Sequence, residues 1–218
     1  MSAPGALPVI AIDGPTASGK GTLARRIADH YGFAYLDTGA LYRAVGYTLL
    51  KDNADPGREG NALAAARALD LSRIPDDALR NDTVGAAASR VAAIPAVREA
   101  LLGFQRRFAG APPPPARGAV LDGRDIGTVV CPDARVKLFV TADAKTRARR
   151  RFLEFQARGM AVDEGQIRAD LEARDRRDME RAAAPLKQAP GAHLLDTSQL
   201  DIEAAFAAAC AIIDQALK

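Results

Sequence analysis

The segment Val9-Ile10-Ala11-Ile12-Asp13-Gly14-Pro15-Thr16-Ala17-Ser18-Gly19-Lys20-Gly21-Thr22 decides how this chain is read. A β-branched apolar run stops at Gly14, a glycine-rich turn follows, and residues 22–31 are compatible with a helix. Strand, turn and helix in that order give a G-x-x-x-x-G-K match its meaning. Glycines clear side chains away so that backbone N–H groups can close on phosphate oxygens, and the helix presents its positive end to the same anion. Lys20 adds a point charge at the terminal phosphates. Gly21 takes the place after the lysine where a hydroxyl normally reaches a metal ion, and the hydroxyl comes one residue later, at Thr22. That contact is therefore expected to shift, or a magnesium ion to be held largely by water and phosphate.

Outward from this segment the chain alternates. Strand-like runs fall at 9–12, 34–36, 119–121, 136–141 and 193–195, with helix-like stretches between them. This predicts an α/β fold: a five-stranded parallel sheet with helices on both faces. Ligands then belong at the carboxyl ends of the strands, where Gly14, Asp37, Asp122 and Asp143 fall. Residues 51–117 contain no good strand, and helices are expected at 59–69, 84–93 and 96–108, the last with Pro95 near its start. The proline run at 112–115 reads as a stiff loop. Residues 144–181 predict two charged helices broken near Gly159, too poor in large apolar residues to bury deeply, and so a mobile flap. A last amphipathic helix spans 202–217. The expectation is one domain with a core of residues 1–50, 117–145 and 190–218, a helical insert at 51–116 and an arginine-rich lid at 146–189.

With 218 residues and 48% hydrophobic composition one sizeable core can form, and without tryptophan it must be built from Ala, Leu, Val and Ile. A net charge of +3 is well short of a protein that coats nucleic acid. Arginines crowd into residues 147–158 and 168–181 among Asp and Glu, a pattern suited to a small, highly charged anion. Cys131 and Cys210 form no C-x-x-C pair and read as two reduced, buried thiols. No signal peptide and no membrane-spanning run is evident, and no long apolar surface stripe. These features predict a soluble, cytoplasmic monomer without nucleic-acid or membrane partners.

Three more segments carry anion chemistry. In residues 36–43, Thr38 is a candidate N-cap and Arg43 lies on the first turns of the helix, a second place for a phosphate. In residues 120–130, Asp122 ends a strand beside the phosphate loop and could hold magnesium through water, Arg124 could clamp phosphate, and Asp125 could accept from an exocyclic amino group. Arg174, Asp178 and Arg181 are spaced i, i+4, i+7 and share a helix face, and Arg147 and Arg151 are spaced i, i+4. The bland alternative is a set of solvated, salt-bridged helices. The phosphate loop gives the arginines a purpose, because a transferring phosphoryl group spreads charge that guanidinium groups can stabilise. His30 and His193 are isolated and lack metal-ligand spacing.

GPTASGKGT (14–22), YLDTGALYR (35–43), AAASRVAAIPAVREAL (86–101), LDGRDIGTVV (121–130) and RDRRDMERAAAPL (174–186) together resemble the bacterial cytidylate kinases, in order and along nearly the whole chain. The GKGT ending is itself typical of nucleoside monophosphate kinases. The resemblance implies a P-loop NTPase fold and the reaction ATP + CMP (or dCMP) ⇌ ADP + CDP (or dCDP), with Mg2+. It implies that Gly14, Pro15, Thr16, Ala17, Ser18, Gly19, Lys20, Gly21 and Thr22 wrap the ATP phosphates. Arg43 and Arg124 would hold the CMP phosphate. Thr38, Ser89, Arg98, Asp125 and Arg181 would lie on the cytosine side, and Arg174 and Asp178 at the ribose. The arginines between Arg147 and Arg158, Arg147 and Arg151 among them, would with Arg177 be lid residues facing ATP, and Lys20, Arg124, Arg174 and Arg177 the catalytic set. Thr38 stands where the family usually has serine. The family also usually carries short antiparallel strands in its insert, for which residues 70–78 are too short and proline-broken. Neighbouring readings are another small-molecule kinase acting on UMP or shikimate, a GTPase, for which no Asn-Lys-x-Asp guanine motif is present, and a nucleic-acid-binding module.

Overall fold

The computed structural model describes residues 7–75 and 77–218. Strand β1 (Val9–Asp13) lies at the centre of a parallel sheet with β2 (Ala34–Asp37), β3 (Ala119–Gly123), β4 (Val136–Thr141) and β5 (His193–Asp196), in the order β2-β3-β1-β4-β5. Alternation along β1 feeds two cores, as a strand covered on both faces requires. Ile10 and Ile12 pack on one face with Leu23 and Ile27 of α1 (Lys20–Tyr31) and Ala209 and Ile213 of α8 (Ile202–Leu217). Ala11 points to the other face, among Leu36, Leu121, Ile126 and Ala109.

Between β2 and β3 come α2 (Thr38–Lys51), α3 (Glu59–Arg67), α4 (Asp82–Val91) and α5 (Pro95–Gly110). They share a core of Leu41, Val45, Leu49, Ala62, Val91, Val97 and Leu101, and Pro95 sits in the first turn of α5, where its missing N–H is harmless. Among the described residues, 51–116 holds no strand; two 3-10 turns, Leu71–Arg73 and Ala78–Arg80, stand where the family's short strands were not expected. After β3 the chain forms a π-helical turn, Ile126–Val130, which nothing in the sequence announced.

The charged helices α6 (Ala144–Ala157) and α7 (Glu164–Glu180) follow β4. They bury more than their composition suggested: Phe155, Ile167 and Leu171 close a small core of their own with Ala148. The two cysteines are free, and both are half-buried rather than buried.

Candidate active site

The loop between β1 and α1 is shaped by close approach. A Cβ on Gly14 would lie 1.9 Å from the carbonyl oxygen of Val140, so only glycine fits. Gly19 caps α1 at φ 85°, and Ala17 is held at φ 60°, a conformation few non-glycine residues adopt. Carbonyls of the loop are engaged from outside. Arg147 donates to Thr16 O at 3.1 Å, and Thr197 donates through Oγ1 to Ser18 O at 3.1 Å. That leaves the inner face of the loop to its N–H groups and to the start of α1.

Two cavities meet at this loop. The larger, about 530 Å³, is walled by the loop, the carboxyl ends of β2 and β3, α4 and α7. The smaller, about 400 Å³, lies between the loop, Arg150 and the β5–α8 connection, with Leu200 and Ile202 on its wall. Ala17, Lys20, Gly21, Thr22, Arg151 and Glu154 line both.

The larger cavity holds a network of arginine–carboxylate pairs. Arg43 meets Asp37 at 2.5 Å, Arg98 pairs with Asp125, and Arg124 meets Asp178 at 2.9 Å. Arg124 also donates to Thr16 Oγ1 at 2.6 Å and to Gly123 O at 3.2 Å, joining the β3 turn to the phosphate loop. Ser89 donates to Asp178 at 3.3 Å, and Thr38 to Asp122 O at 2.8 Å. Arg181, one residue past α7, comes within 3.7 Å of Asp125. Two buried donors here, Arg174 Nε and Arg181 Nη2, have no hydrogen-bond partner. Burial, with the charge of Arg124 next, brings Arg174 down to about 10. Burial pushes Asp178 up, but Arg124 and Arg174 outweigh it and hold the carboxyl below its usual range.

At the loop end of this cavity Lys20 is half-buried, and desolvation followed by the charge of Arg124 pulls it well below the usual lysine range. Asp122 and Asp37 are directly opposed in the β2–β3 register. Burial and then the Asp37 charge push Asp122 upward, while Tyr35 donates to it at 3.0 Å.

Most residues singled out in the sequence converge here: Lys20, Thr38, Arg43, Ser89, Arg98, Asp122, Arg124, Asp125, Arg174, Asp178 and Arg181 all line the larger cavity. Two expectations need correction, and a third residue, Arg177, lies away from both cavities. The N-cap of α2 is Asp37, whose carboxylate accepts from Ala40 N at 3.1 Å; Thr38 is inside the helix and its hydroxyl turns to Asp122. Arg147 lines neither cavity: it is buried against Asp175 at 2.6 Å and donates to Ala142 O at 2.9 Å, tying α7 to the base of α6 and to the phosphate loop. Arg177 is exposed and also lines neither. Helical spacing placed Arg147 and Arg151 on one face, but the face turns inward at the first and toward the cavities at the second, where Arg151 pairs with Asp82 at 2.6 Å and Glu154 at 2.7 Å. Arg147→Ala is expected to destabilise the fold by about 3–5 kcal/mol in urea unfolding, because it strands the buried Asp175, one of whose oxygens already lacks a partner.

Arg150, one of the arginines expected to face ATP, donates to Thr197 O at 2.7 Å and Leu200 O at 3.3 Å on the wall of the smaller cavity, whereas the sequence reading missed Asp13. Asp13 accepts from Ile126 N at 2.7 Å and Gly127 N at 2.8 Å. Burial raises it from 3.8 to about 6 against the pull of those two backbone N–H groups. With the folded value above the unfolded one, the stability from this group is complete below 3.8 and is lost as the pH rises through about 6. The carboxylate therefore works against stability at neutral pH by ~3 kcal/mol.

Comparison with known proteins agrees with this geometry. A family profile described as cytidylate kinase matches residues 10–215. A cytidylate kinase of Afipia carboxidovorans is 60% identical over 208 residues, covering 95% of this chain and 98% of its own. One from a Rhodopseudomonas palustris strain is 60% identical over 206 residues, covering 94% and 95%. Among solved structures, an uncharacterized protein from Eubacterium ventriosum aligns over 95% of this chain and 98% of its own with TM-score 0.53 at 15% identity. TT1252 from Thermus thermophilus aligns over 98% and 99% with TM-score 0.50 at 19% identity. Those two share the fold. The profile and the close relatives, each spanning nearly the full length, show that the chain belongs to the cytidylate kinase family.

Proposed function

We propose that the chain transfers the γ-phosphoryl group of ATP to the phosphate of CMP, and of dCMP, giving ADP and CDP or dCDP. ATP lies in the smaller cavity with its base against Leu200 and Ile202 and its phosphates in the loop; the monophosphate lies in the larger one. The observation that carries this reading is the buried guanidinium N–H of Arg174 and that of Arg181, neither with a hydrogen-bond acceptor and the second with only a distant ion pair to Asp125, in a cavity contiguous with a phosphate loop. Buried donors without acceptors are costly, and a ligand rich in anionic oxygens relieves them.

The chemistry asks for no general base, since the acceptor phosphate is already anionic; positioning and charge stabilisation suffice. Lys20 and Arg151 stand where the cavities meet, beside the group in transfer, while Arg124 and Arg43 hold the acceptor phosphate and Arg174 bridges toward the sugar side. Arg177 joins them only if α7 moves inward, the closure that the two charged helices would provide as a lid over residues 146–189. The donor set suits a magnesium ion held mostly by phosphate and water: Asp122 and Asp37 face the loop, and among the described residues no cluster of three or more His, Cys, Asp or Glu forms a protein cage. When bound, such an ion supplies further charge neutralisation on the phosphates.

Asp125 supplies base selection. Its carboxylate accepts from the 4-amino group of cytosine and repels the carbonyl oxygen that uracil offers there. Asp125→Ala is expected to lower the preference for CMP over UMP by about ten- to hundredfold, since a buried, mispaired carboxylate costs that much. An ADP-release assay with ATP, magnesium and CMP, dCMP, UMP or AMP tests the whole reading. Activity with UMP or AMP above that with CMP, or none with CMP, overturns it.

A further inference from the structure

We infer that Asp13 is a positioning residue for acceptor selection, capping the turn after β3 so that the carboxylate of Asp125 is free to face the acceptor. The inference rests on the proposed placement of the acceptor base at Asp125.

Asp125 occupies the N-cap position of the π-helical turn Ile126–Val130. An aspartate there ordinarily folds its own side chain back onto the first free N–H groups of the helix. Asp125 makes no such bond; its carboxylate instead pairs with Arg98 and approaches Arg181, on the wall of the larger cavity. The N2 group it leaves, Gly127 N–H, and the N1 group, Ile126 N–H, are taken one by each oxygen of Asp13. Capping is thus supplied from the end of the neighbouring strand, where Asp13 stands opposite Gly123 in the β1–β3 register. The carbonyl end of the same turn is held separately: Arg106 of α5 donates to Val129 O at 2.9 Å and Val130 O at 3.2 Å. A wide turn, uncommon and weakly stable by itself, is therefore clamped at both ends by side chains distant in sequence. The residue it carries at its head is the one that selects the base.

The ionised carboxylate of Asp13 opposes stability at neutral pH, which fits a group kept for what it positions. Asp13 also directly precedes Gly14, so the acceptor turn and the phosphate loop are fastened to the same strand end.

The test is a double-mutant cycle read as the ratio of kcat/KM for CMP to that for UMP. Asp13→Asn keeps the shape but leaves one oxygen for two N–H groups, and places an amide donor against the other. Asp125 is then drawn back to cap the turn. The CMP/UMP ratio is expected to fall about tenfold, with KM for ATP changed by less than about twofold. Combined with Asp125→Ala, the Asp13 substitution is expected to lower the ratio no further, since both act through one side chain. An unchanged ratio in Asp13→Asn, or losses that multiply in the double variant, overturns the inference. Arg106→Gln, on the exposed face of α5, is expected to lower the ratio in the same non-additive way; it decides the matter if Asp13→Asn does not fold, and an unchanged ratio there counts against the clamp. Asp125→Ala alone separates the two claims: if that variant keeps the native ratio, the placement of the base at Asp125 is what fails.

Discussion

Lys20→Ala is expected to lower turnover by about a thousandfold or more, the scale seen when a preorganised positive group is removed from a phosphoryl or oxyanion site. Lys20 begins α1 and lies on the wall common to both cavities, where the two phosphates must approach each other. Its charge is held there against desolvation and against Arg124, and Asp122 and Asp37 offset that cost only in part, so an incoming anion relieves the remainder. Truncation removes a disfavoured charge, so the melting temperature should be retained while kcat collapses. Saturating single-turnover kinetics with a melting curve on the same sample checks both halves. Turnover near that of the unmodified enzyme would detach Lys20 from the transferred group.

The second large effect is expected at Arg124. Three of its nitrogens are engaged at once, with Asp178, with Gly123 O and with the Thr16 hydroxyl. Arg124→Ala is expected to reduce kcat/KM for CMP by about a hundred- to a thousandfold, through the lost phosphate contact and the loosened link to the loop. It also leaves Asp178 buried without its closest cation, at a cost of about 3 kcal/mol in unfolding. Arg124→Lys should restore little, because a single ammonium group cannot span three acceptors in different directions. Steady-state kinetics against varied CMP, at fixed saturating ATP, reads the effect. A KM for CMP within about twofold of the native value would remove Arg124 from the acceptor phosphate.

The sheet and its helices were legible because each strand is a short apolar run, four of the five ending at an aspartate or a glycine, and β1 to β5 fall within a few residues of those runs. The cavity residues were legible wherever a motif ties a residue type to a strand end: Thr38 and Arg43 after β2, Arg124 and Asp125 after β3. What escaped was whatever depends on a partner far along the chain. Asp13 looks like the last residue of a strand until the register sets β1 beside β3, which follows it by more than a hundred residues. Arg106 looks like a solvated arginine on α5 until the π turn is in place. Arg147 was misjudged for the complementary reason. Helical periodicity gives the angle of a side chain around its own axis, and says nothing of which neighbour waits at that angle. For Arg147 the neighbour is Asp175, not a nucleotide.

The pairing of Arg43 with Asp37, Arg98 with Asp125 and Arg124 with Asp178 has a consequence for discrimination among anions. A bare oxyanion such as orthophosphate can win the guanidinium groups only by stripping their counterions, and it offers those carboxylates nothing in return. A nucleotide brings amino and hydroxyl donors on the same scaffold as its phosphate, so each carboxylate released at one end can find a new donor at the other. Abundant simple anions thereby compete poorly for the site, even though it is lined with arginine.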